Sequence, residues 1–312
     1  MVFSKEFDMD LKEPLKKHIK STGKSQNQIA RSLGVSSSVI SSWLSESYKG
    51  DNKKLAHMIG SYLRKEEKRA RTLQVPTVAI ETYRQMHFAM DVASEETDIA
   101  LICGNAGVGK TVALLSYVKQ KGGIYIKADK TYTQYQLTNA LAEKLGVASK
   151  GSAAMLTERI IHTLEDLDTL VIIDEADYLT DGALEYLRQV VYDAGNTGLV
   201  LCGLSRLSAM IQNVRNDHDQ LLSRVGVRLM LDDITVEDIR RIINAAWPGL
   251  KTPIQNALVH ASRIRWRSEP SPCLRTLEKI LKRLRDYTLR EGDLEPSTED
   301  VKNAARLVMR RY

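Results

Sequence analysis

Cysteine is scarce: Cys103, Cys202 and Cys273 are the only three in 312 residues, and no two form a CxxC pair. That excludes a disulfide framework and a cysteine-ligated zinc site. It fits a reducing compartment, where Cys103 and Cys202, each closing an apolar run, pack in the core. Six histidines are scattered without metal-ligand spacing, so no dedicated metal centre is expected of them. No apolar run approaches membrane-spanning length, and the N-terminus lacks the basic-then-apolar order of a signal peptide. A cytoplasmic protein is expected, with room for two or three domains.

A net positive charge is missing from the middle of the chain. Residues 1–75 hold 15 Lys and Arg against 8 Asp and Glu, residues 76–234 hold 14 against 21, and residues 235–312 hold 16 against 10. Two basic flanks around an acidic centre point to polyanion contacts made by the flanks.

The centre opens on Gly104, Asn105, Ala106, Gly107, Val108, Gly109, Lys110 and Thr111. An apolar run, Ile99–Cys103, precedes this stretch, and a helical pattern from Thr111 to Val118 follows. Strand, Gly-rich loop and helix are the context of a phosphate-binding loop, whose backbone N–H groups and helix N-terminus converge on one anion. Lys110 would reach the β- and γ-phosphates, and the Thr111 hydroxyl would ligate Mg²⁺. ATP and Mg²⁺ are therefore expected. Thr169 to Glu175 reads as a buried parallel strand ending in two carboxylates. Asp174 is the candidate Mg²⁺ anchor, and Glu175 the candidate base that orients the attacking water. A helicase of the DEAD-box kind is excluded despite the letters of Asp174–Asp177, because no second ATPase lobe follows.

Other elements are expected as a helix over 77–92, a strand over 123–127, helices near 133–145 and 153–165, and strands over 198–203 and 227–231. The N-terminal stretch from Lys24 to Leu44 has the pattern of a helix-turn-helix. Ile29, Ala30 and Leu33 would face inward, Gly34 would make the left-handed turn, Val35 would plug it, and Ser36 would cap the second helix. Ser37, Ser38, Ser41 and Ser42 would then form an outer face toward DNA. With no Arg, Asn or Gln on that face, sequence preference should be weak, and Arg31, Lys49, Lys53 and Lys54 would supply phosphate contacts. The domains expected are a helix-turn-helix over 1–63, a charged linker over 64–76, a nucleotide-binding core over 77–234, and a basic helical segment over 235–312. The cluster Arg263-Ile-Arg-Trp-Arg267 could contact DNA or a partner.

The order of these motifs resembles the AAA+ ATPases. More closely, the chain is similar to the family of phage Mu B-type transposition proteins. Shared stretches are Tyr48–Asn52, Leu101–Thr111, Leu170–Asp177, Gly198–Leu201 and Leu222–Arg224. The resemblance implies an α/β parallel sheet flanked by helices, with residues 235–312 as a helical lid. It implies ATP hydrolysis stimulated by DNA and partner, homo-oligomeric filaments on double-stranded DNA with ATP at subunit interfaces, and delivery of target DNA to a DDE-type transposase in a bacterial host's cytoplasm or nucleoid. It also implies roles for single residues. Arg224 would be an arginine finger acting in trans, Arg275 a cation contacting the γ-phosphate in cis, and Ser205 the polar sensor after the strand over 198–203, where Leu204 departs from the family's Asn. Lys127, Lys130, Thr131 and Lys150 would be loop residues gripping the DNA backbone. Two alternatives remain open: a replication initiator or helicase loader of the AAA+ type, and a sequence-specific regulator with an ATPase switch.

Overall fold

The computed structural model describes residues 11–71, 73, 75–212, 219–263, 272–291 and 295–308. The chain divides into two compact units, Met1–Leu73 and Gln74–Tyr312.

The first unit is helical: α1 (Lys12–Thr22), α2 (Gln26–Leu33), α3 (Ser37–Leu44) and α4 (Asn52–Arg71). Ser25 opens α2 with a reciprocal capping box to Gln28. Gly34 ends α2 in the left-handed region, at φ 69°, and three residues later α3 begins. Ile29, Ala30, Ile40 and Trp43 are buried with Leu15, Leu55, Ile59 and Tyr62 in one core, against which Leu33 and Val35 pack. Ser36 occupies the cap position of α3, but its hydroxyl pairs with Ser38 Oγ at 2.8 Å and caps no backbone N–H. The run expected as a linker from residue 64 instead continues α4 to Arg71. Its Lys, Glu and Arg are good helix formers, and that propensity prevails over the solvation their charge invites.

The second unit is built on five parallel strands: β1 (Ile99–Gly104), β2 (Ile124–Lys127), β3 (Leu170–Asp174), β4 (Gly198–Gly203) and β5 (Val225–Leu231). Their order is β2-β3-β4-β1-β5. The three middle strands are buried along their whole length, as their unbroken apolar runs require, while β2 and β5 alternate as edge strands do. Helices α5 (Glu81–Glu95), α6 (Lys110–Lys121), α7 (Gln134–Leu145), α8 (Ala153–Glu165), α9 (Asp181–Tyr186), α10 (Ser205–Ile211) and α11 (Asp219–Ser223) flank the sheet. A π-helical stretch, Leu187–Ala194, extends α9. The first of these helices starts later than expected, leaving Val75–Ile80 non-helical, and β5 starts two residues early. The chain ends in α12 (Val236–Ala246), α13 (Thr252–Ala261), α14 (Leu274–Glu291) and α15 (Thr298–Val308), with Thr235 and Ser297 hydroxyls capping α12 and α15. Two basic side chains of α14 are engaged locally: Lys282 pairs with Glu278, and Arg285 lies over Trp247.

Close packing at the start of β4 can be tested. A Cβ on Gly198 would lie 2.2 Å from the Ala93 carbonyl oxygen at the end of α5. Gly198→Ala is therefore expected to destabilise the unit by about 1–3 kcal/mol, read as a lower midpoint in thermal denaturation. An unchanged midpoint would contradict this packing.

Candidate nucleotide site

Strand order assembles the site. With β4 between β1 and β3, the C-terminal ends of those three strands lie side by side. The loop from Gly104 to Thr111, the end of β4 at Leu204, and the carboxylates Asp174 and Glu175 thereby share one edge, where open α/β sheets place their chemistry. A cavity of about 480 Å³ opens there. Val75, Pro76, Val78, Ile80, Ile242 and Leu277 supply apolar lining, and Gly107 to Thr111, Asp174, Glu175 and Arg275 polar lining. Among the described residues, Lys110 and Arg275 are the cations that line it.

The loop has the backbone that phosphate wrapping needs. Gly107 and Gly109 adopt φ of 88° and 99°, a region open to glycine. A Cβ on Gly107 would lie 2.3 Å from Cys273 Sγ. The loop is held from the other side too, since Leu274 N–H donates to Gly107 O at 2.9 Å. Lys110 Nζ donates to the carbonyls of Gly104 and Asn105 at 2.8 and 2.9 Å, and Asn105 Nδ2 donates to Asp233 Oδ1 at 2.9 Å.

Asp174 is 1 % exposed. Its Oδ2 accepts from Thr111 Oγ1 at 2.7 Å and from Tyr125 OH at 2.8 Å, and its Oδ1 accepts the Glu175 N–H at 2.9 Å. The hydroxyl and the carboxylate are hard oxygen donors and fit Mg²⁺, which takes few protein ligands beside water and phosphate. Burial, and then the negative charge of Asp174, push the Tyr125 phenol far above its ordinary pKa, so it stays a donor. Glu175 has φ 57° and ψ 35°, a conformation costing a non-glycine residue on the order of 1 kcal/mol, and strain of this kind collects at working sites. Lys127 Nζ lies 3.9 Å from Glu175 Oε1.

The remaining expected residues divide. Arg275, on the first turn of α14, lines the cavity. Ser205 does not: α10 begins with it, it is exposed, and Leu204 lines the cavity instead. Arg224 precedes β5, whose first residue pairs with the start of β1. The nucleotide loop follows the other end of β1, roughly 17 Å along the strand. Arg224 Nε lies 3.4 Å from Asp193 Oδ1, and Asp193 also pairs with the buried Arg188.

Tyr125 and the Asp177–Arg206 pair carry no sequence signal that would have singled them out. Asp177 Oδ1 accepts the Leu204 N–H at 3.0 Å and its Oδ2 accepts Arg206 Nε at 2.6 Å, while Arg206 lies over the Tyr178 ring. This network fixes the turn after β4.

Lys127 and Lys130 are exposed at and after the end of β2, and the Thr131 hydroxyl donates to Asp129 at 2.6 Å. Lys150 lies in the loop before α8, where Arg159 holds the carbonyls of Ala148 and Lys150. In the N-terminal unit, Ser37, Ser38 and Ser41 line an open groove together with Ser25, Gln26 and Asn27. Ser42 is half-buried, its hydroxyl donating back to the Val39 carbonyl, so it leaves that face. Gln26 and Asn27 come from the preceding helix, which is why reading α3 alone found no amide there. Of the cluster over 263–267, residues 264–267 lie outside the described residues.

Residues 93–211 match a family model described as an AAA domain. The ATP-dependent target DNA activator B of Escherichia phage D108 is 30% identical over 242 residues, covering 76% of this chain and 77% of that protein. The Mu-like prophage FluMu DNA transposition protein B of Haemophilus influenzae is 29% identical over 255 residues, 78% of this chain and 87% of that protein. Among solved structures, the ORC1 protein of Aeropyrum pernix in complex with DNA aligns with a TM-score of 0.56 at 22% identity, over 76% of this chain and 67% of that chain. At that identity the likeness is one of fold. The fold is that of the AAA+ ATPases.

The loop geometry predicts that Gly107→Ala weakens binding of a fluorescent ATP analogue by about tenfold or more, since both φ and the Cys273 contact oppose a side chain. Adding Cys273→Gly should recover part of the loss and leave the share due to φ. Full recovery would mean that the contact alone matters.

Proposed function

We propose that this chain, which belongs to the family of the ATP-dependent target DNA activator B proteins, uses ATP to assemble on double-stranded DNA as a filament. It would deliver that DNA to a DDE-type transposase, activate the transposase, and disassemble on hydrolysis. The observation that carries this reading is the placement of Arg224 at the sheet edge opposite its own nucleotide loop, in a chain whose relatives are named as ATP-dependent activators of target DNA. Set apart from its own site, the arginine is read as one offered to a neighbour's.

Each residue then has work to do. Backbone N–H groups of the loop and the Lys110 ammonium hold the phosphates. Thr111 and Asp174 supply oxygen donors for Mg²⁺, whose charge when bound offsets that of the β- and γ-phosphates. The Glu175 carboxylate orients the attacking water and accepts its proton. Arg275 contacts the γ-phosphate from the lid, and Arg224 of an adjacent copy stabilises the charge developing in the transition state. ATP thereby links subunits, and hydrolysis weakens the link.

DNA affinity is read as mainly electrostatic, so it falls steeply with salt. Lys127, Lys130, Thr131 and Lys150 grip the backbone, and residues 1–63, read as a helix-turn-helix, add Ser37, Ser38 and Ser41 beside Gln26 and Asn27. Lys127 supports stimulation of the ATPase by DNA: its ammonium is shared with Glu175, and a DNA phosphate that draws it away frees the carboxylate. The host cytoplasm or nucleoid is the compartment this activity needs. No helix among the described residues is long and apolar enough to cross a membrane.

Two experiments test the reading. Glu175→Gln should lower hydrolysis by about 10²-fold or more and trap an ATP-bound oligomer on DNA, measured by anisotropy on a random-sequence duplex and by sedimentation. A variant that stays monomeric with ATP and DNA would sink the filament. Separately, Arg224→Ala and Glu175→Gln should each be nearly inactive alone, and mixing them should restore hydrolysis, because the Gln variant lends its arginine to the intact Glu175 of the other. Mixtures no more active than the parts would remove Arg224 from the site.

A further inference from the structure

The reaction as assigned makes no use of Tyr125, yet its hydroxyl ends on the most buried carboxylate of the site. Tyr125 is the second residue of edge strand β2 and pairs in register with Ile172. From there it reaches Asp174 Oδ2 at 2.8 Å, the same oxygen that takes the Thr111 hydroxyl at 2.7 Å. The carboxylate's other oxygen is tied to the Glu175 N–H.

The donors differ in where they are anchored. Thr111 belongs to the phosphate-binding loop and the first turn of α6, and the 175 N–H belongs to the strained residue beside it. Tyr125 alone of the three comes from a neighbouring strand, so its grip on Asp174 is independent of the state of the loop. We propose that Tyr125 is a positioning residue for the metal anchor: its hydroxyl holds the Asp174 carboxylate turned toward Thr111, so that the pair is set for Mg²⁺ before the nucleotide arrives. This rests on the reading of Thr111 and Asp174 as the Mg²⁺ donors.

At 1 % exposure Asp174 has little access to solvent that could replace a lost donor. Without the phenol hydroxyl its Oδ2 keeps one partner, and the carboxylate is no longer fixed from the sheet side. The consequence falls on metal binding and spares the contacts that the loop's N–H groups and Lys110 make to phosphate. Tyr125→Phe keeps the ring and its packing and removes only the hydroxyl.

The experiment is a titration of a fluorescent ATP analogue into the full chain, in EDTA and across a Mg²⁺ series, with thermal melting of the same samples. For Tyr125→Phe, the Mg²⁺ concentration giving half of the metal-dependent gain in affinity should rise by about tenfold, with affinity in EDTA unchanged. An unchanged Mg²⁺ midpoint overturns the proposal. So does an equal loss of affinity in EDTA and in Mg²⁺, which would mark Tyr125 as packing for the strand. Asp174→Asn separates the two levels: if it too leaves the Mg²⁺ series unchanged, the assignment of the metal donors fails. If it removes the Mg²⁺ dependence while Tyr125→Phe does not, only the role of Tyr125 fails.

Discussion

One buried negative charge organises the catalytic edge. A carboxylate withdrawn from water as far as Asp174 is tolerable only if its oxygens are matched by donors, and the structure supplies three, each from a different part of the chain. Thr111 ties it to the nucleotide loop, Tyr125 to the edge strand, and the Glu175 N–H to the turn that aims the candidate base. The demand to satisfy one group thus fixes the relative placement of the phosphate loop, the candidate metal donors and the candidate base. The positive φ of Glu175 lies at the same turn, directly after that N–H.

The helical C-terminal segment is fastened to this edge by a short clasp. Leu274 N–H donates to the Gly107 carbonyl, and Cys273 fills the space where a side chain on Gly107 would be. Arg275 follows directly, so the clasp that holds the loop also brings this segment's cation to the cavity. The apolar Val75–Ile80 segment and Ile242 close the far side, giving a cavity with one apolar wall and one polar floor. A nucleotide, with a flat base and a charged tail, has the matching division.

How much of this was legible depended on whether the signal was local. The phosphate-binding loop, the apolar strands and the carboxylate pair announce themselves within a few residues, and strands of unbroken apolar character could only be central in a parallel sheet. Tyr125 was not legible, since a tyrosine on an edge strand looks the same whether its hydroxyl meets water or a carboxylate from the next strand. The Asp177–Arg206 pair joins positions brought together only by the β3–β4 adjacency. At 64–71 the charge suggests a linker, although Lys, Glu and Arg extend a helix as readily as they solvate a coil. Ser42 is lost to the outer face because it is half-buried and its hydroxyl turns back to the Val39 carbonyl.

The departure at Leu204 bears on the proposed assembly. Strand β4 ends between the two halves of the site, the position from which a polar side chain would reach the γ-phosphate, and it presents a leucine there. The polar groups nearby do not compensate, because Asp177 and Arg206 are spent on each other and on the Leu204 backbone. On the proposed reading, charge developing on the γ-phosphate is met within one chain, among the described residues, by Lys110 and Arg275 beside the bound Mg²⁺. Arg224 is barred from its own cavity by the length of β1. On the proposed reading it completes the count only when copies stack, so the missing polar residue makes hydrolysis lean harder on the neighbour. An isolated chain would then bind ATP well and turn it over slowly, which is the behaviour a nucleotide-held filament requires.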